Sequence, residues 1–205
     1  MAPIFGRVPL PAFRNSNVQP LTLWTCILNR HYVKPELFEV VKDTAKKMSE
    51  KDAEVIIAYL DANFPFKDGF PLFPHLSHSD GEKLDLAFFY KSEINKKVVY
   101  GKASSWIGYG VFEGPQPGEY DAPRNCIAKG YWQYDMAKYL VWNPRRLELD
   151  EDKTKEMIRY FTANKSINKV FLEPHLKSRL NLKSEKIRFH GCRAVRHDDH
   201  VHIQL

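Results

Sequence analysis

The irregular order of strand-like and helix-like segments is the feature that most constrains the fold of this chain. Short β-branched or aromatic runs predict strands at residues 53–64, 83–90, 170–176, 186–195 and 200–205, and amphipathic patterns predict helices from Pro35 and over about Asp150–Asn164. A doubly wound parallel sheet needs strands and helices in regular alternation, which this order does not provide. We therefore expect an α+β domain, with an antiparallel sheet and a few helices packed on it.

The two helices are predicted from periodicity and from their first turns. Proline suits the start of the first helix, and a row of apolar or small residues follows at helical spacing: Leu37, Val40, Val41, Thr44, Ala45 and Met48. The second helix carries Met157, Tyr160 and Phe161 on one side. Three acidic residues at 150–152 suit the positive end of its dipole. Both helices should pack one face on the body.

The length of 205 residues suits one domain with a proper core, and no repeat divides the chain. Residues 1–33 are rich in proline and aromatic residues, so we expect an irregular segment that packs on the body formed by 34–205. Residues 91–148 hold most of the glycine, tryptophan and tyrosine and predict a long loop insertion. Long ordered loops in compact domains are often functional. The last two predicted strands are expected to be joined by the turn RHDD, 196–199.

The net charge of +6 favours anionic partners, but the basic residues are scattered and show no continuous stripe. Nucleic acid is therefore not expected as a partner, and we expect a monomer. No apolar run reaches 18 residues, so no membrane span is predicted. The N-terminal residues lack the pattern of a signal peptide. The protein is expected in the cytoplasm, or in the periplasm or outside the cell if an export signal or anchor lies upstream.

The histidines are grouped, five of the eight falling into two clusters. The first cluster, PHLSHSDGEKLDL, contains His75, His78 and Asp85, and the second contains His197, His200 and His202. The three remaining histidines, His31, His175 and His190, are interpreted as surface or satisfied core residues. The cysteines, Cys26, Cys126 and Cys192, have no CxxC spacing, and one disulfide or three reduced thiols are both compatible with them.

The spacing within the clusters suits a metal site. On a strand, His200 and His202 point to the same face, and Gly81 lets the preceding loop turn so that His78 and Asp85 converge. Two imidazoles and a carboxylate with an open fourth position are typical of catalytic zinc rather than structural zinc. The neighbouring aspartates 198 and 199 are placed to orient the rings through hydrogen bonds. Cys192 is a weaker candidate for a thiolate ligand.

The pattern S-H-x-x-G-x-x-x-D-L at 77–86, followed far downstream by H-x-H, resembles the LAS zinc peptidases, which join lysostaphin-type enzymes, D-Ala-D-Ala metallopeptidases and the Hedgehog signalling domain. The closer resemblance is to penicillin-insensitive murein endopeptidases, which carry H-x-x-H-x-x-G-x-x-x-D and H-x-x-H-x-H. These motifs match residues 75–85 and 197–202, about twenty of the 205 residues. The resemblance implies a Hedgehog/D-Ala-D-Ala peptidase-like fold.

The resemblance also implies the roles of individual residues. It makes His78, Asp85 and His202 the zinc ligands, and His197 or His200 the general base. His75 would lie beside the metal or bind a second metal more weakly. Asp199 would support a histidine or, less favourably, replace it as the base. The glutamate that one branch of the family places before a Trp-His pair is absent here, so a histidine is the expected base.

The predicted function is zinc-dependent hydrolysis of peptides, with peptidoglycan as the substrate of a murein endopeptidase or carboxypeptidase type. A metal-activated water would attack the peptide while a histidine takes its proton. The aromatic residues Trp106, Tyr109 and Trp132 are candidates for a substrate groove. Residues 91–148 have no recognisable counterpart in the family, so the resemblance does not carry substrate specificity. The alternatives are a zinc-containing binding module without catalysis, a metal-dependent nuclease and an intracellular dipeptidase.

Overall fold

The computed structural model describes residues 2–13, 16–70, 72 and 77–205. Strands β1 to β11 are Val8–Pro9, Val18–Pro20, Tyr32–Val33, Ile57–Tyr59, Lys83–Ala87, Tyr90–Ser92, Val98–Val99, Leu147–Leu149, Lys169–Phe171, Ile187–Arg188 and His200–Gln204. Helices α1 to α5 are Leu23–Ile27, Pro35–Ser49, Ala122–Ala128, Glu151–Ala163 and Pro174–Arg179, and two 3-10 helices cover Ala2–Phe5 and Trp132–Leu140. The predicted α+β class is confirmed.

The main sheet has six strands in the order β10-β9-β11-β5-β4-β2. Strand β11 lies at its centre and runs antiparallel to both β5 and β9. The two margins are parallel, β10 with β9 and β2 with β4. The prediction of an antiparallel sheet is therefore wrong for the two edge strands, β10 and β2. At one edge, helix α5 returns the chain so that β10 runs alongside β9 in the same direction. Two smaller sheets, β7-β6-β8 and β1-β3, complete the strand pairings.

Both predicted helices are confirmed. Helix α2 buries the six residues that its periodicity placed on one face, Leu37, Val40, Val41, Thr44, Ala45 and Met48. Helix α4 buries Met157 and Phe161, and Tyr160 is half-buried beside them. The Asp150 side chain accepts a hydrogen bond from the Lys153 backbone N–H at the start of α4. This cap explains why the helix begins directly after Asp150.

The predicted strand over residues 170–176 is too long. It ends at Phe171, and helix α5 begins at Pro174, where a proline is favourable in the first helical turn. The expected pairing of the last two strands through the turn RHDD is also wrong, because β9 lies between β10 and β11. The strand predicted at 53–64 is shorter than expected and keeps only Ile57–Tyr59.

Two segments that we expected to be irregular contain short elements. Residues 1–33 supply β1, α1 and β2, and β2 is an edge strand of the main sheet. Residues 91–148 include β7, α3 and the 3-10 helix at Trp132–Leu140. No described helix has the length and hydropathy needed to cross a bilayer. Cys126 and Cys192 form a disulfide, which leaves Cys26 as a thiol and removes Cys192 as a thiolate ligand.

Candidate metal centre

The register of the central strands brings together two of the predicted ligands. Strands β11 and β5 are paired so that His202 lies directly opposite Asp85. Side chains directly opposite each other on antiparallel strands are close neighbours on one face of a sheet. The His202 Nδ1 atom is 2.8 Å from Asp85 Oδ1. The pairing of β5 with β11 therefore joins motifs that are more than a hundred residues apart in sequence.

The third predicted ligand, His78, lies in the loop before β5. His78, Asp85 and His202 together form the metal-binding group. Gly81 in this loop has φ of +84°, and a Cβ there would contact the Arg7 and Lys34 side chains, so a glycine is required at the turn. The His78 Nδ1–H donates to the Ala62 carbonyl at 3.0 Å. This hydrogen bond directs the other ring nitrogen, Nε2, toward Asp85. His78 Nε2 lies 3.4 Å from Asp85 Oδ1.

The spacing of these atoms suits a tetrahedral metal. His78 Nε2, Asp85 Oδ1 and His202 Nδ1 are separated by 3.2, 3.4 and 2.8 Å, and ligand atoms of the three residues all lie within 4.8 Å of one another. Nitrogen and oxygen ligands about 2.0–2.1 Å from a tetrahedral zinc lie about 3.3 Å apart. All three residues are buried, so the group is shielded from competing solvent. These residues could hold a metal ion and leave a fourth coordination position to another group.

The second oxygen of Asp85 is held by a tyrosine. The Tyr109 hydroxyl donates to Asp85 Oδ2 at 2.9 Å, and Oδ1 faces the two imidazoles. Burial, followed by the charge of Asp85, raises the pKa of Tyr109 well above its ordinary value. The hydroxyl therefore keeps its proton and acts as a donor. Tyr109 thus orients the carboxylate so that one oxygen is presented to a metal.

His202 is neutral under ordinary conditions. Burial lowers its pKa to about 4, and this effect outweighs the opposing contribution of the hydrogen bond to Asp85. A neutral imidazole has the lone pair that a metal requires. The site therefore presents His202 in its metal-binding form at neutral pH.

His200 lies at the edge of the group and is oriented by a carboxylate. Its Nδ1–H donates to Asp199 Oδ1, and Asp199 Oδ2 in turn accepts from the Gly110 backbone N–H at 2.6 Å. With Nδ1 occupied in this way, Nε2 points toward the group and lies 3.8 Å from Asp85 Oδ1. Asp199 therefore holds the His200 ring through this hydrogen bond. Because both Asp199 oxygens accept hydrogen bonds, this carboxylate is a poor candidate for the base.

His197 lies behind His200, with 4.9 Å between the ring centroids. Burial lowers the pKa of His197 well below its usual value, and the neighbouring His200 and His202 lower it further. Its Nδ1 atom is buried and has no hydrogen-bond partner among the described residues. His197 therefore lacks the carboxylate contact that orients His200.

The other predicted site residues differ in whether they contact the metal-binding group. Tyr109 contacts the group, whereas Trp106 and Trp132, also predicted to line a groove, are exposed at 49% and 70%. His75 lies outside the described residues. Asp198 does not orient a site histidine as expected, because both of its oxygens accept from Arg196. Arg196 is accordingly buried in this ion pair.

Two residues near the group were not identified from the sequence. The exposed His190 ring stacks on Phe171 at 4.0 Å between centroids, and Phe171 lies opposite His202 in the β9–β11 pairing. Arg30 donates to Asp61 at 2.6 Å; burial lowers the pKa of Arg30, but this hydrogen bond and, to a smaller degree, the nearby Asp85 raise it above its ordinary value. His190 reaches the site through its contact with Phe171, and Arg30 through its ion pair with Asp61. A lone histidine and a lone arginine carry no spacing signal that would have predicted this.

A buried carboxyl group lies behind the site. Glu173 Oε1 accepts from the Tyr134 hydroxyl and from the His197 backbone N–H. Burial is the main cause that raises the pKa of Glu173 to about 7. Its other oxygen, Oε2, is buried without a hydrogen-bond partner among the described residues. Glu173 is therefore protonated in much of the folded protein near neutral pH.

Replacement of Glu173 by glutamine is expected to stabilise the protein at pH 8 and to have little effect at pH 5. The folded-state pKa of about 7 lies above the ordinary 4.5, so the folded protein binds more protons between these values and loses stability as the pH rises through them. The full effect is about 3 kcal/mol. Urea unfolding of both proteins at pH 5 and pH 8 measures it.

The control for Glu173→Gln is Glu119→Gln, because Arg179 lowers the pKa of Glu119 to about 2. A carboxyl group with a lowered pKa stabilises the fold above its ordinary pKa, so Glu119→Gln should destabilise the protein at pH 8. Equal free energies of unfolding for Glu173→Gln and wild type at pH 8 would show that Glu173 is ionised without cost.

No family model matches the chain, and no curated protein matches it. The resemblance to zinc peptidases therefore depends on the residues of the two motifs, and the metal-binding group depends on their arrangement in the fold.

Proposed function

We propose that the protein is a zinc-dependent peptidase and that its substrate is a peptidoglycan peptide. One observation carries this proposal: His78, Asp85 and His202 present three ligand atoms at tetrahedral spacing, and a carboxylate-oriented histidine lies beside them. Two imidazoles and one carboxylate form the ligand set of several zinc hydrolases. Structural zinc sites are usually closed by four protein ligands, which favours a catalytic role for this group of three.

Bound zinc would supply Lewis acidity, polarising a carbonyl oxygen and acidifying water. The protein's own contribution is to orient the ligands and to accept a proton. Of the two candidate bases, we propose His200, because Asp199 accepts from its Nδ1–H and leaves Nε2 as the basic atom on the side of the group.

Peptidoglycan is proposed as the substrate from the resemblance to murein endopeptidases and from the positive net charge, which suits acidic wall polymers. A substrate of this kind places the protein in the periplasm or outside the cell. The disulfide between Cys126 and Cys192 supports that location, because disulfides persist in oxidising compartments.

Digestion of purified peptidoglycan by the zinc-loaded protein, followed by mass analysis, tests the proposal and identifies the bond. We expect new peptide fragments that are absent when a chelator is added. Plasmid DNA is incubated in parallel, and cleavage of DNA alone would replace the peptidase with a metal-dependent nuclease. Zinc binding without hydrolysis of any muropeptide would favour a binding module and contradict the enzymatic proposal.

A further inference from the structure

All four tryptophans of the chain are exposed to solvent, at 58% for Trp24, 49% for Trp106, 70% for Trp132 and 86% for Trp142. Tryptophan is highly buried on average in folded proteins, so exposure of every copy is unusual. Tryptophan is enriched at membrane–water interfaces, where an apolar ring and a polar N–H are both satisfied. None of these side chains serves the candidate metal centre.

Further apolar side chains are exposed beside the tryptophans. Helix α1 buries none of its residues, and Leu23, Ile27 and the following Leu28 are each more than half exposed. The 3-10 helix at Trp132–Leu140 exposes Met136, Tyr139 and Leu140. Aliphatic and aromatic side chains are mixed here, which is less typical of a sugar-binding surface built from aromatic rings. We name these exposed side chains of α1, Trp106 and residues 132–142 the apolar patch.

The parts of the apolar patch are adjacent in the fold. A Cβ at Gly108 would overlap the Leu21 and Leu60 side chains, so this residue packs next to the segment that leads into α1. A Cβ at Gly110 would overlap the Ala137 carbonyl and the Val141 side chain at the end of the 3-10 helix. Only Tyr109 lies between Gly108 and Gly110, so their Cα atoms are about 7 Å apart at most. The loop that carries Trp106 is therefore held between α1 and Trp142.

Two of the segments that form the apolar patch are strongly basic. Residues 100–112 and 127–147 contain five basic residues and one acidic residue: Lys102, Lys129, Lys138, Arg145, Arg146 and Asp135. The acidic one, Asp135, pairs with Arg196 and Lys138. Most of the net charge of +6 thus lies in the segments that also expose three of the four tryptophans. This charge opposes self-association through the patch, because two copies would bring like charges together.

We propose that the apolar patch binds the surface of an anionic lipid membrane. Exposed apolar side chains enter the interfacial region, and the surrounding lysines and arginines bind lipid phosphates. The protein would lie on the membrane without crossing it, in keeping with the absence of a spanning helix among the described residues. This proposal does not depend on the peptidase activity, because none of the patch residues is a candidate ligand or base.

Vesicle flotation of the purified full chain tests the proposal. Vesicles of phosphatidylcholine with phosphatidylglycerol should carry the protein upward, and phosphatidylcholine alone should carry much less. Lys129→Gln with Arg146→Gln should weaken binding about thirtyfold, since each exposed basic residue contributes about fivefold. Lys165→Gln with Lys183→Gln is the matched control, because both lysines are exposed toward the β10 edge of the sheet, opposite α1.

A second pair of variants tests the apolar contribution. Trp24→Ser combined with Trp142→Ser should weaken flotation, whereas Ile94→Ser, which removes a 91% exposed side chain from the β6–β7 turn, should leave it unchanged. Tryptophan emission of the wild type should shift to shorter wavelength on vesicle binding. Failure of the wild type to float with either vesicle would overturn the proposal. So would a dimer by light scattering that Trp142→Ser dissociates, which would identify a second copy as the occupant.

Discussion

Replacement of His200 by glutamine is expected to lower the rate of peptide hydrolysis about 10²–10⁴-fold while zinc remains bound. General acid–base catalysis by one positioned side chain contributes effects of this size. Glutamine keeps a polar side chain near Asp199 but cannot take a proton. His200 lies at the edge of the metal-binding group, so its loss should spare the three ligands. Initial rates of muropeptide cleavage and elemental analysis of the same preparations measure the two effects.

His197→Gln is the matched control for the base. His197 is equally buried but lacks the bond to Asp199, so its replacement should lower the rate much less. A full loss of rate in His197→Gln together with an active His200→Gln would reverse the assignment. Loss of zinc from His200→Gln would instead make His200 a ligand.

Removal of the His202 side chain by alanine substitution is expected to abolish stoichiometric zinc binding. His202 supplies one of three protein ligands, and loss of a residue that merely orients a ligand already costs 10–100-fold in metal affinity. We therefore expect the affinity to fall by more than about 100-fold. Asp85→Asn should have a similar effect, because an amide is a weaker ligand than a carboxylate and keeps the same shape. Elemental analysis after gel filtration measures the bound metal.

His175→Ala is the matched control for the ligand variants. His175 is as buried as His202, but its Nε2 donates to the Glu113 carbonyl at 2.8 Å and it lies outside the metal-binding group. This variant should keep its zinc, and circular dichroism verifies that each variant is folded. An unchanged zinc content in folded His202→Ala would remove His202 from the ligands.

The elements that were predicted most accurately are those specified by local periodicity. Helix α2 begins at the predicted proline and buries the six predicted positions, and α4 begins after the predicted acidic turn. Each helix forms its hydrogen bonds within itself, so a window of fifteen residues contains most of the information. The strands were less accurate, because a strand's length depends on neighbours that are distant in sequence.

Within the site, too, local sequence predicted some features, and others depended on contacts between distant segments, such as the pairing of His202 with Asp85. Residue type and spacing identified both clusters, since a metal requires imidazole and carboxylate groups whose identity is visible in the sequence. Which histidine is a ligand and which is a base depended on the hydrogen-bond partner of each imidazole nitrogen. Asp199 orients His200, and Ala62 orients His78, while His197 receives no such support at Nδ1 from the described residues. These partners arise from strand register and loop packing.

The sequence by itself determined the α+β class, the two amphipathic helices and the two clusters that supply the candidate ligands, because each depends on residue type or on short-range periodicity. The tertiary structure decided the mixed strand order, the Cys126–Cys192 disulfide, which histidine lies beside the ligands, and the exposure of all four tryptophans. These properties depend on which distant segments pack together. Burial, hydrogen-bond partners and solvent exposure belong to that packing, and no local pattern encodes them.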